Sequence, residues 1–467
     1  MERFRDKYFG NKAFYRRIVL MMLPIMIQNA ITNFVGMLDN IMVGRLGTLE
    51  MSGVSIINTL VSVYNSCIFG AVSGVGIFTV EYYGEGNEEG VRNSFRFKLL
   101  FALTLVVLAI IVFLTAGDSL IVLYLEGKGN PADAAQILQF GKQYLNISLI
   151  GLVPHALTQA YSSTLRECNK VMPPMAAGLT AMAVKLVLNY LLIFGSLGMP
   201  RLGVAGAAVS VVISRFVELA VVAVWVRRNS NEVRSMTAVF RSLRIPRTLR
   251  ADMIRKSIPL MLNETLFAGG LAFLVQCYTT RDLNVVAAIS ISNTFYNLLS
   301  VTFRATGTAI GIMIGQLLGI RAFERAKKEA LKMIVFAVMI GAAVGLVYIG
   351  IAFAAPKLYN ITAEVQYIAR NLLLVQALFM PVNAALNSAY YVVRAGGDTL
   401  LTMFLDCGLL FLFQAVPDFL LSRFTGIRII PLYFCVQCGL ILKLAVNLYF
   451  VRKNGWVHTL VTENSED

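Results

Sequence analysis

Charged side chains make up only 14% of this 467-residue sequence, and it holds just two histidines, two tryptophans and six cysteines. So little charge beside 57% hydrophobic residues and a mean hydropathy of +0.70 excludes a soluble globular protein, which would expose too much apolar surface. Two histidines and scattered acids offer no clustered catalytic constellation, so no enzyme activity, catalytic residue or metal site is expected. The cysteines form no disulfide framework. Cys67, Cys277, Cys407, Cys435 and Cys438 fall in apolar runs and Cys168 in a short turn. The CxxC at Cys435 and Cys438 lacks any zinc or redox context, so both residues are read as small buried packing residues. No GxxxxGK[ST] loop occurs, so ATP-driven work would require another subunit. The alternating strands of a membrane barrel are absent too.

What the chain has instead is apolar length. Runs recur at 18–42, 53–79, 97–117, 136–160, 171–195, 204–226, 257–278, 285–318, 331–355, 367–393, 400–421 and 429–451. Each is near or above the roughly 20 residues that span a bilayer as a helix. The expected fold is therefore an all-α integral membrane protein with twelve transmembrane helices. The first run is too long for a cleaved signal, and no small-residue cleavage site precedes Asp39. Basic residues lie mostly on alternate loops: 28 of the 41 Lys and Arg, including six in the N-terminal tail, three at 81–98 (Lys98 among them), nine in 227–256 and one at Arg394. This bias places both termini in the cytoplasm of a multi-pass cell-membrane protein. The net charge of +15 then faces the anionic leaflet of the lipid bilayer, and no nucleic acid is expected as a partner. The polar tail 462–467 is too short for a domain.

An internal repeat organises the chain. Shifted by 235 positions, Pro24 meets Pro259, Ser55-Ile56 meets Ser290-Ile291, and Gly76, Gly84 and Glu89 meet Gly311, Gly319 and Glu324. A shift of 228 pairs Arg166 with Arg394 and Met175 with Met403. The expected domains are an N-terminal lobe of six helices at 1–226, a basic cytoplasmic linker at 227–256, and a C-terminal lobe of six helices with a short tail at 257–467. Because six is even, the two pseudo-symmetric six-helix lobes run the same way through the bilayer. Parallel-repeat transporters use such halves to open a path to either side in turn.

These residues carry a resemblance. LPIMIQNAITNFVGMLDNIMVGRLGTLEMSGVSI, from Leu23, resembles the first helix and following loop of the multidrug and toxic compound extrusion (MATE) transporters. IPLMLNETLFAGG at 258–270 is similar to their seventh helix. LRECNKVMPP and VRAGGDT stand at the four–five and ten–eleven turns where that family has related sequences. The resemblance covers essentially the whole chain. It implies a secondary active multidrug exporter, working by alternating access and driven by a proton or sodium gradient, that expels organic cations and amphipathic compounds. No cofactor beyond that coupling ion is implied, and the expected form is a monomer.

Ionisable residues inside spans are few, and each is costly enough to weigh singly. Asp39 matches the family's acid in the N-terminal lobe and is assigned the coupling role; a bend at Pro24 gives its helix a place to move. Lys185 and Asn189 lie four apart on one face of the fifth span. In sodium-binding members the resemblance puts Asn and then Asp at these positions. An ammonium there fills the place of a sodium ion, which favours a proton switch in which Asp39 alternates between Lys185 and a proton; the alternative is a Lys185 that snorkels to an interface. Glu264 matches the seventh-helix acid linked to coupling and cation recognition. The tenth span lacks the second acid of some members, so Asp406 is expected to serve, with Arg304 as its counter-ion. Tyr278, Tyr296 and Phe303 are candidate aromatic faces for a cationic drug, with packing as the competing role. His155 is a candidate proton relay or a polar residue satisfied within the bundle. Arg215 and Glu218, three apart, can neutralise each other.

A flippase for lipid-linked or other amphipathic lipids is the alternative function. It would line its cavity with many Arg and Lys for phosphate. Four bases against four acids (Asp39, Glu218, Glu264 and Asp406) within the spans favour cations or mixed substrates instead.

Overall fold

The computed structural model describes residues 8–125, 131–237, 239, 244–279, 283–358 and 361–461; the tail 462–467 lies outside them. Helices follow one another with no strand among the described residues. They are α1 (Lys12–Gly44), α2 (Thr48–Glu85), α3 (Glu88–Leu125), α4 (Pro131–Ser148), α5 (Leu152–Glu167), α6 (Met172–Phe194), α7 (Val204–Arg228) and the short α8 (Arg234–Thr237). The second half holds α9 (Arg247–Thr279), α10 (Leu283–Gly319), α11 (Phe323–Ala354), α12 (Ala363–Ala395), α13 (Thr399–Met403), α14 (Val416–Phe424) and α15 (Ile429–Lys453). Helix starts at 12, 48 and 88 recur at 247, 283 and 323, each 235 residues later. The repeat seen in the sequence is thus a repeat of secondary structure.

Eleven of the described helices are long and apolar enough to cross a membrane. The expected span at 136–160 stays helical but tightens at its middle. A 3-10 turn at Leu149–Gly151 separates α4 from α5. Pro154 supplies no backbone N–H, which removes one possible donor from each of the Ile150 and Gly151 carbonyls. Outward faces of the long helices are apolar: Val107, Leu108, Ile111, Val112 and Leu114 of α3 are all exposed. That is a surface for lipid, not water.

Contacts sort the chain into two compact units, residues 27–79 with 87–261, and residues 1–26 with 80–86 and 262–467. The boundaries inside α1 and α9 each fall two residues beyond a proline, Pro24 and Pro259. The basic segment 227–256 belongs to the first of these units.

In the 27–261 unit, α2 presents Val54, Ile57, Val61, Tyr64, Ile68 and Val72, spaced three or four apart as one helical stripe. They pack with Val106 and Ile121 of α3, Leu145 of α4, Leu152 of α5 and Ile193 of α6. Gly206 of α7 lets that helix meet the Leu192–Ile193 backbone of α6, where a Cβ would stand 3.1 Å from Ile193 N. This close approach fixes α6, which carries Lys185 and Asn189, against α7, which carries Arg215.

In the 262–467 unit, Gly341 and Gly345 of α11 stand against Met380 and Ala377 of α12, a small-residue contact typical of helices in lipid. Two π-helical turns, Phe404–Gly408 and Phe411–Ala415, join α13 to α14. Such turns widen the helix locally and collect at functional sites. Asp406 lies in the first of them.

Candidate functional site

The 27–261 unit places Asp39, near the end of α1, against α6. Lys185 and Asn189, one turn apart on α6, both reach it: the Lys185 ammonium pairs with Oδ2, and Asn189 Nδ2 donates to Oδ1 at 2.6 Å. Both carboxylate oxygens are therefore engaged. Side chains of the ion pair keep 21% and 16% exposure, so water still reaches them. They border a cavity of about 140 Å³ lined also by Asn58, Asn65, Tyr144 and Arg215. Tyr144 Oη donates to Asn58 Oδ1 at 3.2 Å. Arg215 Nη1 donates to the Gly151 carbonyl at 3.2 Å, at the break between α4 and α5. Gly151 also makes room for the arginine stem, whose Cδ would stand 3.2 Å from a Cβ there.

The 262–467 unit contains a longer polar chain. Arg394 Nη1 donates to Glu264 Oε1 at 3.1 Å and to Tyr390 Oη at 3.0 Å. Asn263 Nδ2 bridges Tyr390 Oη at 3.2 Å and Asp406 Oδ2 at 3.1 Å. Lys443 Nζ completes the chain on Asp406 Oδ1 at 3.0 Å and lies 5.4 Å from the centre of the Phe267 ring. Glu264 and Asp406 thus share one network, each with its own fixed cation.

Several expectations need correcting. Arg304 is not the counter-ion of Asp406: it is exposed on α10, where Nη2 approaches Ser300 Oγ one turn back at 3.5 Å. Lys443 takes that place. Arg394 had been counted with the loop charges, because the apolar pattern ends at 393. Helix α12 continues to Ala395, and Arg394 is buried. Cys435 is exposed on α15 instead of buried, and Cys438 is half-buried. Tyr278 and Phe303 belong to buried core clusters, and Tyr296 packs partly buried against the second of them. His155 is half-buried beside Tyr64, ring centres 6.4 Å apart, and does not line the Asp39 cavity.

Sequence reasoning missed a second ion pair. Lys98, placed among the loop charges, is fully buried; it pairs with Glu167 and approaches Thr164 Oγ1 at 3.2 Å. The partners are 69 residues apart, and no periodicity links them. Glu81 was also missed. Fully buried, it accepts from Thr459 Oγ1 at 2.8 Å and Leu460 N at 2.7 Å, which ties the last described residues to α2. Cys168, in the turn after α5, is buried, and burial pushes its thiol up to about 12, which makes it unreactive. Among the described residues no group of three or more His, Cys, Asp or Glu is placed to hold a metal ion.

Duplicated apolar helices with ion pairs enclosed inside them define a multi-pass membrane protein of the transporter class. The MatE family profile matches residues 24–191 and 259–420. The chain belongs to this family of MATE transporters, and its biochemistry is transport, not catalysis. It is 24% identical over 423 residues to a probable multidrug resistance protein, YoeA, of Bacillus subtilis, with 90% of this chain and 89% of that protein covered. It is 22% identical over 450 residues to a probable multidrug resistance protein, NorM, of Thermotoga maritima, covering 94% and 93%. A crystal structure of MATE in complex with MaL6 shares its fold with a TM-score of 0.84 at 20% identity, over 96% of this chain and 97% of that one. An outward-facing MATE transporter of the MOP superfamily does so at 0.83 and 21% identity, over 94% and 95%.

Proposed function

We propose that this protein is a secondary active exporter of amphipathic compounds, organic cations among them, with a proton as coupling ion and Asp39 as its carrier. The observation that carries the reading is the engagement of both Asp39 oxygens by Lys185 and Asn189 beside a cavity. A resident ammonium occupies the position a sodium ion would need, and the two cations compete for one carboxylate. A proton acts differently: it neutralises Asp39 and strips Lys185 of its partner. A largely desolvated ammonium without its carboxylate is unfavourable, so Lys185 is drawn further toward the water that already reaches it when Asp39 is loaded. Protonation is thereby linked to displacement of α6 against α1, where Pro24 interrupts the hydrogen-bond ladder. The multidrug resistance names of the relatives support drug efflux as the task. The basic bias of the loops supports a cell-membrane location with cytoplasmic termini, and the working unit is taken as the monomer.

A flippase is the second reading. Arg394 and Lys98, both buried, add two enclosed bases to those expected, while Arg304 is exposed. Transport of a fluorescent amphipathic cation by proteoliposomes, under proton and sodium gradients imposed separately, tests the proposal. The proton gradient alone is expected to drive accumulation, and accumulation indifferent to both gradients would remove the antiporter assignment.

A further inference from the structure

The cavity beside Asp39 carries an unbalanced positive charge. Lys185 and Asp39 cancel, which leaves the Arg215 guanidinium, permanently charged in proteins. Among the described residues no carboxylate oxygen lies within 4 Å of it; its one direct partner is the neutral Gly151 carbonyl at 3.2 Å. Glu218, three residues along α7, interacts electrostatically with Arg166 as well as with Arg215 and does not line the cavity. A guanidinium has five N–H donors, so most of this one's capacity remains open. The same walls carry the polar side chains Asn58, Asn65, Tyr144 and Asn189. Polar groups out of bulk water are normally satisfied, and open donors of an arginine lining a cavity call for a complement.

We propose that this cavity receives the anionic group of a substrate, a carboxylate or phosphate anchored on Arg215. The proposal deepens the transport reading and rests on it. It adds anionic and zwitterionic amphipaths to the cargo, recognised in this cavity. At about 140 Å³ the space suits a group of roughly benzene size with its charge, the rest of a larger molecule lying outside. Asp39 does not oppose the anion while Lys185 and Asn189 hold both of its oxygens. Asn189 lines the cavity and also donates through Nδ2 to Asp39, which places the cargo next to the coupling acid.

Calorimetric titration of the purified full-length protein tests this with mandelate, a carboxylate with a neighbouring hydroxyl, and mandelamide, its neutral counterpart of equal size. Mandelate is expected to bind about tenfold or more tightly than mandelamide, as a charge-assisted hydrogen bond implies. Benzylammonium is expected not to bind here. Arg215→Gln should abolish the preference and Arg215→Lys should keep part of it. Val211→Phe, which fills the cavity and leaves its charges in place, should block mandelate. Phenyl phosphate binding more tightly than mandelate would point to a lipid-phosphate source for the group, and the reverse order to a carboxylate-bearing small molecule. Equal affinity for mandelate and mandelamide, or a preference unchanged in folded Arg215→Gln protein, would overturn the inference. Loss of the mandelate preference with gradient-driven dye transport intact removes this proposal alone. Mandelate binding without gradient-driven transport removes the transport reading alone.

Discussion

Asp39→Asn is expected to reduce gradient-driven transport in proteoliposomes to the level of leak. The asparagine keeps the size and the contact with Asn189, yet it cannot bind or release a proton. If the two access states differ about a hundredfold in population without the proton, flux falls to about 1% of wild type. Lys185 is left without its carboxylate, so some instability is expected as well. The double variant Asp39→Asn with Lys185→Met separates the two effects. It removes both charges, and it should recover thermal stability while transport stays lost. A double variant that pumped at the wild-type rate would show that Asp39 is structural only.

The second large effect is on stability. Lys98→Met is expected to cost about 3–5 kcal/mol, because it leaves Glu167 charged, buried and without its ammonium. Ser163 Oγ still donates to Glu167 Oε1 at 2.5 Å, but a hydroxyl does not neutralise a carboxylate. Replacing both partners, as Lys98→Met with Glu167→Leu, should restore most of the loss, since an apolar pair carries no desolvation penalty. Unfolding of the two variants in detergent, followed by light scattering or intrinsic fluorescence, gives the comparison. A single variant as stable as wild type would mean that the pair contributes little.

Much of this architecture follows from patterns that survive in one dimension. Pro24 and Pro259, and the glycines that follow them at the same offset, announced the repeat because proline and glycine restrict the backbone locally. The helix starts at 12, 48 and 88 and their partners 235 residues on are the three-dimensional form of that restriction. Asp39, Lys185 and Asn189 were visible because a charge in an apolar run is expensive wherever it falls. Their meeting was suggested by the family resemblance, while the spacing of Lys185 and Asn189 showed only that they share a face.

Pairings between distant helices were not legible. Arg304 looked like the partner for Asp406 and Lys443 was passed over, because nothing in a sequence says which helix faces which. The structure reverses them through the π-helical turn at 404–408 that carries Asp406 toward Asn263 and Lys443. Arg394 and Lys98 were assigned to loops because each stands at the edge of its apolar run. In both places the helix runs past the end of its hydrophobic segment and a carboxylate receives the charge, half-buried Glu264 for Arg394 and buried Glu167 for Lys98. The repeat did offer one clue, pairing Arg394 with Arg166. Arg166 likewise turns inward, with Nη2 donating to Gln28 Oε1 at 2.9 Å. The 3-10 turn in the fourth span was hidden because the residues around Pro154 are as apolar as the rest of that run.

Everything about coupling depends on Lys185 holding the place of a metal cation beside Asp39. The most direct measurement is drug efflux by the Lys185→Asn variant in sodium-free and sodium-containing medium, compared with wild type. Wild type should respond to the proton gradient and ignore sodium, whereas the variant, with the ammonium gone and Asp39 open, should gain activity when sodium is supplied. Activity and ion dependence identical in the two proteins would contradict the account.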